Sequence, residues 1–92
     1  VTSKANTWGE EIYFSVPLSE EPETGARAEV NIGDIAYWPP GSAFCIFFGP
    51  TPASTDDTPR AASPVTRLGR IDGDVTRFRA IAHGTPVTLE TV

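Results

Sequence analysis

The stretch Ile35–Phe48, IAYWPPGSAFCIFF, carries the strongest fold information in the chain. Its second half, Ala43–Phe48, is apolar at every position, which is typical of a strand covered on both faces. The two halves are separated by PPGS at residues 39–42, where two prolines remove two backbone donors and Gly41 can adopt a positive φ. The stretch therefore predicts a β-hairpin whose second strand lies in the core.

Alternating side chains predict further strands on both sides of this hairpin. Over residues 10–16 the apolar side chains of Ile12, Phe14 and Val16 share one face, so the adjacent residues Glu10 and Glu11 point to opposite faces. Similar alternation predicts strands over residues 28–32, 65–71 and 87–91, with a tight turn at Gly33. These patterns together predict a mostly β protein.

One short helix and two long loops complete the predicted organisation. Val75, Phe78 and Ala82 lie at helical spacing, so we expect a helix over 75–82 with Asp74 as its N-cap and Gly84 as its C-cap. Residues 19–27 carry three Glu, a Pro and a Gly, which predicts an acidic surface loop. The segment Gly49–Pro64 is Pro-rich and long, as expected of a binding loop or of a plain insertion.

Composition limits the size and the class of the protein. With 92 residues the chain fits a single domain, residues 1–92, with one modest core. Twelve acidic against seven basic residues give a net charge of -5, which opposes binding to nucleic acid and to anionic membrane surfaces. The longest apolar run is too short to span a membrane. Cys45, the only cysteine, lies in an apolar run, which favours a buried reduced thiol and a cytoplasmic protein.

Aromatic residues near strand ends are the best candidates for a ligand-binding groove, because such side chains combine an apolar body with a polar tip. Packing at the core and its rim is the alternative interpretation of the same residues. With His83 and Cys45 far apart in sequence and no phosphate-binding glycine loop, we expect no metal and no cofactor. The candidate ligand-binding residues are Trp8, Glu10, Tyr13, Tyr37, Trp38, Phe48 and Arg60.

Three motifs, NTWGEEIYF at 6–14, YWPPG at 37–41 and FFGPTP at 47–52, make the chain resemble an uncharacterised prokaryotic family with a cyclophilin-like fold. The resemblance implies a β-barrel of about eight strands. Members of that family usually carry two strands and a helix before the first motif, whereas only residues 1–5 precede it here. We therefore expect an open or incomplete barrel, and either a missing N-terminal segment or an exposed edge that pairs in a homo-oligomer.

A weaker resemblance to true cyclophilins concerns residues 41–46. It puts Ala43 where those prolyl isomerases have an active-site glutamine, and Cys45 where they have a proline-pocket phenylalanine. Their catalytic arginine, within a Phe-His-Arg motif, has no counterpart in the chain. The resemblance thus implies the fold without the groups that isomerisation would use.

Three hypotheses about function follow. The preferred one is a non-catalytic domain that binds a small ligand or a short peptide in the aromatic groove, partly covered by the Gly49–Pro64 loop. The second is an enzyme, either a residual prolyl isomerase or an unknown activity with Glu10 or Glu11 as base and Arg60 or Arg67 holding an anion. The third is a subunit that pairs with a partner through an exposed barrel edge.

Overall fold

The computed structural model describes residues 2–17 and 25–88, and these residues form a mostly β structure as predicted. Two 3-10 helices, Pro39–Gly41 and Val75–Ala80, are the helical segments within this part of the chain. The strands are β1 Thr2–Lys4, β2 Asn6–Thr7, β3 Glu11–Ser15, β4 Arg27–Glu29, β5 Asp34–Trp38, β6 Ala43–Phe47, β7 Arg60–Arg70 and β8 Pro86–Thr88.

The strands form two antiparallel sheets. Six of them make one sheet in the order β2-β3-β6-β5-β7-β4, and β1 pairs with β8 in a second sheet. Among the described residues the two sheets do not close into a barrel. The fold is thus an open arrangement of antiparallel strands, and the pairing of an exposed edge with a second copy stays a prediction.

The predicted hairpin is confirmed as β5, the first 3-10 helix and β6, with Ile35 opposite Ile46 and Trp38 opposite Ala43. The residue of this turn with a positive φ is Ser42, at 45°, although the sequence allows this conformation more readily at Gly41. Gly41 is instead required by close packing, since a Cβ there would lie 2.6 Å from Cζ3 of the Trp38 ring. The glycine thus makes room for an aromatic side chain.

Strand register assigns the side chains to two faces. Tyr13 lies opposite Cys45, and Cys45 opposite Ala36, so these three side chains share what we call the Cys45 face. On the opposite face, Ile12 and Phe48 pack with Ala5 beneath the second 3-10 helix and β8. The strand β6 is therefore covered on both sides, as the apolar run predicts. The Cys45-face core consists of Val30, Ala36, Cys45, Phe47, Ala61 and Val65.

The predicted C-terminal helix over 75–82 is wrong: the segment forms a 3-10 helix over Val75–Ala80 and no α-helix. The apolar residues that pack on the sheet here are Val75, Phe78 and Ile81, whose spacing of three matches the 3-10 period. The Asp74 cap is confirmed, since its side chain accepts a hydrogen bond from the Thr76 amide. Gly84, with a φ of 89°, lies in a turn beyond the helix and does not cap it.

The predicted loop over 49–64 is too long, because β7 already begins at Arg60. Pro64 is tolerated inside this strand because the β4–β7 register is irregular between the pairs Arg27↔Val65 and Glu29↔Arg60. The shortened loop is held by Thr51, whose hydroxyl donates to the Arg60 carbonyl and whose amide donates to Ser54 Oγ. Residues 19–24 of the predicted acidic loop and residues 89–91 of the last predicted strand lie outside the described residues.

No helix in the described part of the chain is long and apolar enough to cross a membrane.

Candidate functional site

The turn between β2 and β3 fixes the position of the candidate site. Trp8 and Glu11 exchange backbone hydrogen bonds of 2.9 and 3.2 Å, so they are directly opposite each other and their side chains share a face. Gly9, at a φ of 59°, is the first central residue, which is the glycine position of a type II′ hairpin turn. The turn therefore places Trp8 and Glu11 together on the Cys45 face.

A cavity of about 210 Å³ opens on this face, and we call it the Glu11 cavity. An apolar cavity of about 150 Å³ already holds a benzene molecule, so this one has room for a ring-sized group. Most of its lining is apolar or aromatic, as is usual for ligand sites. The cavity is lined by Trp8, Glu11, Tyr13, Trp38, Cys45, Ala61, Ala62 and Val65.

Two of the three aromatic rings of the cavity are held in place by specific contacts. Tyr13 and Trp38 meet edge to face, with ring centroids 6.3 Å apart and an interplanar angle of 69°. Trp38 Nε1 donates to Ser63 Oγ at 2.7 Å, which ties the end of β5 to β7. The wall of the cavity is therefore preformed.

Glu11 is the electrostatic centre of the cavity. It is 5% exposed, and its Oε1 accepts no hydrogen bond from any described residue. Burial raises the pKa of the Glu11 carboxyl to about 7. A hydrogen bond from the Cys45 thiol lowers this pKa, but by less than burial raises it. At neutral pH the carboxyl is thus poised between its acid and its carboxylate form.

Unlike the Glu11 carboxyl, the Cys45 thiol in the cavity does not ionise near neutral pH. Burial, the charge of Glu11 and the hydrogen bond to that carboxylate all raise the pKa of Cys45 above its ordinary value. Because the thiolate is the nucleophilic form, Cys45 stays an inert thiol at physiological pH. Its role is to pack and to donate a hydrogen bond.

The structure brings three of the predicted site residues together, Trp8, Tyr13 and Trp38. Tyr37 and Phe48 lie on the opposite face, where Tyr37 packs against Phe44 and Phe48 against Phe78. This separation arises because successive side chains of a strand point to opposite faces. Tyr37 and Phe48 are each adjacent in sequence to a residue of the Cys45 face, so their side chains point away from that face.

The predicted polar residues lie outside the cavity. Glu10 pairs with Arg79 at 2.7 Å and Arg60 with Glu29 at 3.2 Å. Arg67, considered as an anion-binding residue, pairs with the buried Asp34 at 3.0 Å. No group of three or more His, Cys, Asp or Glu within residues 2–17 and 25–88 is placed to hold a metal ion.

The predicted ligand-binding set lacks the two lining residues that carry the cavity's acid and thiol, Glu11 and Cys45, and Glu11 enters the sequence predictions only as a possible base of an enzyme. The alternation of side chains over residues 10–16 predicts that Glu10 and Glu11 point to opposite faces of the strand. It does not indicate which of the two side chains enters a groove. The signal that distinguishes them is the glycine turn, because it makes Glu11 the direct partner of Trp8.

Replacement of Gly41 by Ala is expected to displace the Trp38 ring from the cavity wall. The new Cβ would lie 2.6 and 2.7 Å from two ring carbons, so the ring must move and weaken its bond to Ser63, at a cost of about 1–2 kcal/mol. The Trp38 indole N–H signal in an NMR spectrum, together with its hydrogen exchange, reports the change. Gly69→Ala is the control, since a Cβ there meets no atom of the described residues within 4 Å. An unchanged indole signal in the Gly41 variant would contradict the packing role.

Comparison with known proteins places this fold in a family. A family model described as Cyclophilin-like matches residues 1–90. The solution structure of a hypothetical protein from Archaeoglobus fulgidus is similar, with 42% sequence identity and a TM-score of 0.75 over 94% of this chain. The match covers 65% of the archaeal chain, and no curated protein matches the sequence. Because the family model matches residues 1–90 of the 92-residue sequence, the chain belongs to the cyclophilin-like proteins.

Proposed function

We propose that this domain binds a small molecule, or one side chain of a short peptide, in the Glu11 cavity and catalyses no prolyl isomerisation. The observation that supports this most directly is the Oε1 atom of Glu11, a buried acceptor that receives no hydrogen bond from any described residue and lies at the wall of a mostly apolar cavity. Leaving such a group unpaired costs about 1–3 kcal/mol, which a bound donor would recover.

The shape of the cavity supports a ligand of limited size. Its volume of about 210 Å³ suits a ring or a short branched chain, and the apolar lining from Ala61, Ala62 and Val65 leaves few polar contacts. A ligand that fills it would obtain most of its affinity from apolar burial and its orientation from Glu11.

The absence of isomerase activity is supported by the chemistry of the lining. Stabilising a twisted peptide bond calls for a fixed cation or strong donors at the reacting group. The side chains that line the cavity include no Arg, Lys or His, and the position expected for an active-site glutamine carries Ala43. Glu11 and Cys45 offer one carboxyl and one neutral thiol, which suit recognition better than this reaction.

A fragment screen followed by amide NMR spectra tests the binding proposal. Ring-sized fragments are expected to shift the amides of Glu11, Tyr13 and Cys45 and both indole N–H signals first. Ala62→Leu, at an exposed position of the lining, should fill the opening and weaken binding roughly tenfold or more.

The matched control is Ala80→Leu, because Ala80 is exposed in the second 3-10 helix and does not line the cavity. It should leave binding unchanged. Shifts confined to residues outside the cavity, or equal affinity in both variants, would refute the proposed site.

A further inference from the structure

Glu11 differs from three other carboxylates of the fold in having no basic partner among the described residues. Glu10, Glu29 and Asp34 each form an ion pair with an arginine, at distances of 2.7 to 3.2 Å. Asp34 is as deeply buried as Glu11, yet its charge is balanced by Arg67. Among the described residues no Lys or Arg forms an ion pair with Glu11, so the cavity holds an acid without its counter-charge.

Three aromatic rings share the cavity with this acid. Trp8, Tyr13 and Trp38 all line it, and Trp and Tyr faces attract cations through their ring quadrupoles. The effect is strongest in a site removed from water, where it reaches about 2 kcal/mol. Aromatic rings are a known means of recognising ammonium ligands, and a carboxylate beside them adds an opposite charge.

We propose, on the basis of the binding function above, that the Glu11 cavity is specific for a small organic cation, an ammonium group attached to a ring-sized apolar body. The ammonium forms an ion pair with the Glu11 carboxylate, and the apolar body lies against Trp8, Tyr13 and Trp38. The cation supplies the counter-charge that the described part of the chain does not provide.

Such binding is coupled to the protonation of Glu11. The titratable groups that line the cavity are Glu11 from β3, Tyr13 from β3 and Cys45 from β6, while the lining residues of β7 are apolar. Burial keeps the Cys45 thiol protonated, and the pKa of Glu11 is raised to about 7. An ammonium ligand therefore binds with release of the Glu11 proton, and its affinity should rise roughly tenfold between about pH 6 and pH 8.

Benzylamine and benzyl alcohol form the test pair, because they share the ring and differ in charge. Each is titrated into the protein near neutral pH, where the amine is protonated, and indole and amide NMR shifts are followed. We expect benzylamine to bind roughly tenfold more tightly than benzyl alcohol. In Glu11→Gln the amine should lose this advantage and its dependence on pH, whereas the alcohol should bind as before.

The other outcomes separate the two proposals. Equal binding of amine and alcohol, or an amine advantage that persists in Glu11→Gln, would overturn the cation specificity and leave small-ligand binding in place. The cation specificity would also be overturned if neutral fragments shift the cavity signals and benzylamine does not. If neither the amine nor any fragment shifts these signals, the cavity is not a binding site and both proposals fail.

Discussion

Raising the pH from about 4.5 to about 8 should lower the free energy of unfolding by roughly 3 kcal/mol, and Glu11→Gln should abolish this loss. The cause is the buried carboxyl, whose pKa is raised from 4.5 to about 7 by burial. Between these values the folded protein holds a proton that the unfolded chain releases. This stabilisation is complete below the lower value and is lost as the pH rises through about 7.

Urea unfolding at several pH values measures this effect through the shift of the midpoint at constant slope. Glu10→Gln is a suitable control, because Glu10 is the neighbouring residue but lies partly exposed in an ion pair with Arg79. The control should retain the decline of stability with pH. If the Glu11→Gln variant declines as steeply as the unmodified protein, folding does not raise the pKa of Glu11.

Gly9→Ala is expected to lower the free energy of unfolding by about 3 kcal/mol. Gly9 has a φ of 59°, where a side chain is strained. The added Cβ would also lie 2.8 Å from Thr51 Cα and 2.9 Å from Pro52 Cδ, which are parts of a loop held by hydrogen bonds. The turn or the loop must move, and Trp8 and Glu11 move with it.

The matched control is Gly73→Ala, at a φ of 102°, where the new Cβ lies more than 4 Å from every atom in the described part of the chain outside its own neighbours. It carries the backbone strain without the collision and should cost about 1 kcal/mol. Urea unfolding of both variants at one pH separates the two contributions. Equal losses would mean that the contact between the β2–β3 turn and the Thr51 loop does not restrain the turn.

Much of the fold follows from local patterns in the sequence. The alternation over residues 10–16, the apolar run before Phe48 and the turn at Gly33 each predict the observed element, because the same residues satisfy local preference and core packing. Spacings of three and four coexist in residues 75–82, so the sequence predicts a helix there but does not identify it as a 3-10 helix. Only the packing of Val75, Phe78 and Ile81 against the sheet determines which of the two spacings the helix adopts.

The start of β7 could not be predicted because it depends on a partner distant in sequence. Arg60 joins the strand by pairing with Glu29, and no local signal over 60–64 outweighs the prolines around it. The residues of the candidate site are also difficult to predict from local sequence, because they come together through strands distant in the chain. Alternation separates Trp38 from Tyr37, but only the strand register shows that Trp38 shares its face with Cys45 and Tyr13.

The small sheet of β1 and β8 has a consequence for local unfolding. It pairs Thr2 with Thr88 over three residue pairs, so its formation requires closure of almost the whole chain for few hydrogen bonds. Such a pair opens at a lower free energy than the central hairpin and exchanges its amide hydrogens sooner. None of the residues that line the Glu11 cavity belongs to either strand. The cavity can therefore stay assembled while this sheet opens and closes.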